Sequence, residues 1–158
     1  MSRLTWADLL IEDITPDQLR DWLAPWTGVI AGQVAPAFMS KFGTWFLRRP
    51  DGPVEVLDVF SGEVTRAADS YEQFTAEVNE PWWQETYLLS ELVYRLHQVG
   101  VVPGAGQCYA LAPHPALGGP NPFADEPVDP RFVQIMDIGL WQRLCAQFVF
   151  GPEAGSDA

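Results

Sequence analysis

Nucleophiles and bases are few in this sequence. Cys108, His97 and His114 are the residues that could form a cysteine–histidine dyad, in which an imidazole takes the thiol proton and the thiolate attacks an electrophile. Such a thiolate needs an electropositive, partly open niche. Cys108 lies in a strand-like run between Gln107 and Tyr109, and His114 sits between Pro113 and Pro115. That setting suits a small core thiol and gives a cysteine-dependent enzyme the least support of the readings considered. Metal chemistry finds no better footing, because neither Cys108 and Cys145 nor His97 and His114 place two ligands on one element. The acidic pairs Glu12-Asp13 and Asp125-Glu126 lack the alternating oxygens and central glycine of a calcium loop. Gly118-Gly119 is too short to cradle a phosphate, and no lysine-bearing helix start follows it. The expectation is a chain with no catalytic residue, no metal ligand and no cofactor.

Charge carries more information. Twenty-one aspartates and glutamates face nine lysines and arginines among 158 residues, a net charge of −12, while 47% of residues are hydrophobic. Acidic chains stay disordered when they are poor in apolar residues, and this one is not. It should fold and display its carboxylates outward, repelling nucleic acid and anionic lipid and steering basic proteins toward itself. The expected partner is a basic protein, with no nucleic acid and no membrane. Glu55, Asp58, Glu63, Asp69, Glu72, Glu77, Glu80, Glu85 and Glu91 follow one another with only Arg66 between them. Two readings stand for this run: a solubilising surface, or a docking face whose like charges a cationic partner neutralises. In the second reading the partner-binding residues are Asp69, Glu72, Glu77, Glu80, Trp82 and Glu85. Trp82 would be an exposed anchor among carboxylates, or else would pack beneath a loop.

The elements that must position these side chains are predicted from capping, turn and periodicity signals. Thr15 and Pro16 open a short helix over residues 17–23. A second short helix is expected over residues 34–41. Strands over 44–48, 54–60 and 63–67, joined by Pro50-Asp51-Gly52-Pro53 and Ser61-Gly62, make a three-stranded antiparallel meander. Ser70 and Gln73 have the spacing of a capping box, and Phe74 and Val78 follow it on a buried face with Tyr71. From Pro81 one long helix should run to Val99, with Trp83, Tyr87, Leu88, Leu92 and Leu96 inward and Gly100 as its stop. Residues 101–130 are rich in proline and glycine, with a strand over 107–112; the rest is a recognition loop or a structural crossover. A strand over 131–138 and a helix over 140–149 complete an α+β fold: one domain over residues 1–151, followed by a disordered tail, 152–158. Trp26 and Trp45 are core or dimer contacts. The two cysteines read as free and buried. Without a basic start and apolar run near Met1, or any long apolar stretch, the chain reads as cytoplasmic.

From Phe42 onward the order of motifs resembles a known family. Phe42-Gly43-Thr44-Trp45-Phe46 leads to Gly52-Pro53-Val54, Leu57-Asp58, Ser61-Gly62, Ala68-Asp69-Ser70 and Phe74. After the long helix come Gly106-Gln107-Cys108-Tyr109 and Pro115-Ala116-Leu117-Gly118-Gly119. Between Trp22 and Phe148 this pattern is similar to the C-terminal domain of immunity proteins that protect bacteria from type VI secretion DNase toxins, with a looser likeness to the SUKH immunity superfamily. Asp137-Ile138-Gly139-Leu140-Trp141-Gln142 stands where members of that family commonly carry Gly-Gln-Ile-His. The resemblance implies an α+β fold and toxin neutralisation by direct binding, with no catalytic residues to carry over. The alternative is an acidic adaptor or regulatory module that uses the same face on another basic protein.

Overall fold

A computed structural model of the chain describes residues 4–124 and 126–151, so the expected tail at 152–158 lies outside the described residues. The chain opens with one helical turn, α1 (Trp6–Leu9), and a two-residue strand, β1 (Leu10–Ile11). Next comes α2 (Pro16–Leu23), where Thr15 Oγ1 accepts from Gln18 N and the Gln18 side chain accepts from Thr15 N, a closed capping box. A 3-10 turn at Ala24–Trp26 leads to β2 (Ala35–Ser40), β3 (Trp45–Arg48), β4 (Val54–Leu57) and β5 (Val64–Ala68). These strands form a five-stranded antiparallel sheet in simple chain order, β1 to β5.

The predicted meander is present as β3–β5, and the structure corrects what surrounds it. Residues 34–41 are not a helix but carry β2, paired with both β1 and β3. Ala35, Ala37 and Met39 suit a helix locally, yet the strand lets Phe38 and Met39 be buried on opposite faces of the sheet. Pro36, which has no N–H to donate, sits where the β2–β3 register shifts. The strand from Val54 stops at Leu57 instead of Phe60, because Asp58 starts the hairpin turn: Asp58 N donates to Glu63 O at 3.0 Å and Gly62 N to Asp58 O at 2.7 Å.

The late strands, β6 (Gln107–Leu111) and β7 (Val133–Asp137), pair only with each other, as a separate two-stranded ladder. One backbone bond, Tyr109 N to Lys41 O at 2.7 Å, ties this ladder to the end of β2. The predicted long helix is two helices, α4 (Pro81–Leu88) and α5 (Ser90–Gln98), broken at Leu89, whose φ of 54° is left-handed. Before them lies α3 (Tyr71–Glu77), where Ser70 Oγ accepts from Gln73 N. The return half of the expected capping box is displaced by one residue, since Gln73 Oε1 accepts from Asp69 N at 3.2 Å. The chain closes with α6 (Ile138–Phe150), its N-terminus capped by Asp137.

The sheet is covered on both faces, making a single α+β domain. Successive residues of β3 point to opposite sides. Phe46 meets Phe38, Phe74, Trp83 and Tyr87, an aromatic layer between the sheet and helices α3 and α4. Trp45 faces α6, where the Gln142 side chain crosses the core: its Oε1 accepts from Trp26 Nε1 at 2.7 Å and Trp45 Nε1 at 3.0 Å, and its Nε2 donates to Gly43 O at 2.8 Å. Gly43 has a φ of +92°, and a Cβ there would lie 2.8 Å from Trp141 and 2.9 Å from Gln142, so no larger residue fits. Trp26 and Trp45 are wholly buried, which makes both core residues.

Candidate protein-binding face

The short helices α3 and α4 bring the acidic run to one side of the sheet. Each has one inward face, and its polar residues are left outside. On α4, Trp83 is fully buried against Phe46 and Phe74, whereas its neighbour Trp82 is 55% exposed. Residues three and four positions apart share a helix face, so Trp82, Glu85 and Thr86 form one outward stripe. Glu80 sits at the N-cap of the same helix. The nearest sheet edge is β5, which ends the strand order and carries exposed Thr65 and Arg66.

Of the six residues proposed from sequence, Asp69, Glu72, Glu80, Trp82 and Glu85 are exposed. Glu77 is half-buried and accepts from Gln73 Nε2 at 2.8 Å, which makes it part of the helix's own bonding. Glu85 Oε2 accepts from Glu91 N at 3.3 Å, bridging the break between α4 and α5 while staying in solvent. Asp69 pairs with Arg66 at 3.2 Å in the open, where solvent screening leaves such a pair worth little. Glu55 leaves the acidic run altogether: it is half-buried and ion-paired to Arg49, whose guanidinium also donates to Ala31 O and Gln33 O. Arg48 adds a second cation at this side, stacked 3.7 Å above the Tyr71 ring. The surviving negative residues here are Glu63, Glu72, Glu80, Glu85 and Glu91, with Asp58 half-buried behind them.

The proline-rich segment closes one border of this face. Arg95 Nη2 donates to Val128 O at 3.0 Å, pinning the segment to α5. Between them lies a groove of about 420 Å³, with Glu85, Glu91 and Glu126 among apolar walls from Leu89, Leu92 and Phe123. Phe123 is 54% exposed. Sequence reasoning did not single out Phe123 or Thr86, and it weighed Glu126 only with Asp125 as a calcium ligand, because nothing in their local spacing says that residues 122–128 return to α4 and α5.

The residues considered for catalysis are placed elsewhere. Cys108 is fully buried on β6, and burial pushes its thiol well above the ordinary range. Cys145 is likewise free, buried and raised by desolvation. His114 is buried among Phe60, Trp141 and Phe148. Its Nδ1 accepts from Ala116 N at 3.0 Å and its Nε2 lies 3.2 Å from Val59 O, an arrangement that fits the neutral ring protonated on Nε2. Desolvation lowers its pKa from 6.5. His97 lies 4.0 Å from Asp8. Among the described residues, no group of three or more His, Cys, Asp or Glu side chains is placed to hold a metal ion. No described helix is long and apolar enough to cross a membrane.

No protein-family model matches the chain, and no curated protein matches it.

Proposed function

We propose that this chain is a non-enzymatic, cytoplasmic protein-binding domain of the immunity type, which neutralises a cognate nuclease toxin by covering it. The observation that carries this reading is Trp82, 55% exposed and set between the exposed carboxylates of Glu80 and Glu85. More than half of this large aromatic side chain is open to a partner, beside like charges. Tryptophan buried at the centre of a complex is among the most effective interface anchors. The carboxylates supply complementarity to a protein that itself grips a polyanion. Such a protein needs a basic cleft, and an acidic inhibitor that fills it is drawn in by long-range attraction.

Co-expression with the protein encoded by the neighbouring reading frame tests the reading directly. The expected result is protection of the cell and a stable complex on purification. Reversal of Glu72, Glu80 and Glu85 to lysine should slow association at least about tenfold, since charge reversal acts mainly on encounter. Unimpaired protection by that triple variant would remove this face from the mechanism.

A further inference from the structure

We propose that a small pocket beside the β4–β5 hairpin is the seat for one arginine side chain of the basic partner. This rests on the protein-binding reading above and names the recognition chemistry within it.

The pocket holds about 150 Å³ and lies between the hairpin, α4 and the proline-rich segment, with Asp58, Glu63, Thr65, Thr86, Tyr87 and Phe123 around it. Thr86 and Phe123 also line the larger groove beside α5, so the two spaces share a wall. Two carboxylates (Asp58 and Glu63), three threonines (Thr44, Thr65 and Thr86), Ser61 and two aromatic rings border this largely apolar space. Among the described residues, no arginine or lysine pairs with either carboxylate. Asp58 already accepts from Phe60 N at 3.0 Å and from Ser61 Oγ at 2.9 Å, which fixes its direction while leaving lone pairs open. Desolvation raises its pKa, so a cation arriving beside it would stabilise the charged form that burial disfavours.

The rings decide which cation fits best. Guanidinium is planar, weakly hydrated and able to stack on an aromatic face while its N–H groups reach carboxylates and hydroxyls. Ammonium is compact and strongly hydrated, and gives up more on entering such a site. The exposed Phe123 ring stands edge-on to Phe60, with centroids 6.2 Å apart, and so forms a propped wall.

The test uses the intact chain and two small probes, N-acetyl-arginine amide and its neutral analogue N-acetyl-citrulline amide, followed by NMR. The arginine probe should shift the signals of Thr65, Thr86, Tyr87 and Phe123 selectively, and citrulline should not. Phe123→Ala and Glu63→Gln change exposed residues and should leave the fold intact. Each should weaken the arginine probe about fivefold, the scale of one cation–π contact or exposed ion pair. Equal shifts from both probes, shifts spread over Glu72, Glu80 and Glu91, or undiminished binding by both variants would overturn the proposal. Partner capture separates the two levels. If the Glu63→Gln/Phe123→Ala chain captures its partner normally while reversal of Glu72, Glu80 and Glu85 abolishes capture, the pocket is wrong and the face is right. If neither change affects capture, both are wrong.

Discussion

Gln142 shows how one polar side chain can hold a hydrophobic core in register. Its amide is fully buried, and it bonds two tryptophan N–H groups and one backbone carbonyl from segments far apart in sequence. Replacing it with leucine removes the amide and strands those partners, each of which costs about 1–3 kcal/mol when buried and unpaired. Gln142→Leu should therefore lower stability by about 3 kcal/mol or more, read as a lower urea midpoint at an unchanged slope. The predicted helix over 140–149 gave no sign of this role, because the partners of Gln142 lie about a hundred residues away in sequence. His114 makes a second prediction. Its folded-state pKa lies below 6.5, so as pH falls through that value the unfolded chain takes up a proton first. The His114 contribution should be level above this range and decline from about pH 6.5 downward, at up to about 1.4 kcal/mol per pH unit for one proton. His114→Phe should flatten the slope between pH 7 and pH 5 in a series of urea titrations. An unchanged slope would mean that the ring is not held neutral.

At the scale of elements, local chemistry decided α2 and the meander, and tertiary packing decided β2 and the α4–α5 break. The Thr15-Pro16-Asp17-Gln18 start and the turns at 50–53 and 61–62 act over a few residues, so they can be read from them. β2 cannot be read in that way. Its alanines and methionine carry a helical preference, and only the two flanking strands and the layers above and below the sheet overrule it. Leu89 is harder still, since no glycine or proline marks residues 82–99. A left-handed leucine costs about 1–2 kcal/mol relative to glycine. Burial of the Leu89 side chain, which is 8% exposed, offsets that cost, because a core leucine contributes about 1.5–3 kcal/mol. Leu89→Gly relieves the backbone but empties the site, and packing is the larger of the two effects. The variant should be about 1 kcal/mol less stable in denaturant titration. A more stable variant would show that backbone conformation, not packing, governs the junction. The pocket at Asp58 was illegible for a related reason: Asp58, Tyr87 and Phe123 come from three separate elements.

Across the whole molecule, the tryptophans differ in how far they enter the core. Trp26, Trp45, Trp83 and Trp141 are buried in the core on the two sides of the sheet, and Trp82 alone of the α4 pair faces solvent. Trp82→Ala should leave stability within about 0.5 kcal/mol, as exposed positions usually do. The same change should weaken the complex by about 2 kcal/mol or more if the ring anchors an interface. Equal losses in both would mean that the ring is a folding residue. The net charge of −12 acts on a longer range than any single contact. The most direct measurement is therefore the stopped-flow association rate with the protein from the neighbouring reading frame, taken as salt is raised from about 0.02 M to about 0.5 M, where screening shortens from beyond 20 Å to a few ångströms. Attraction by the acidic face requires the on-rate to fall at least about tenfold across that range while dissociation changes little. An on-rate that stays level would contradict it.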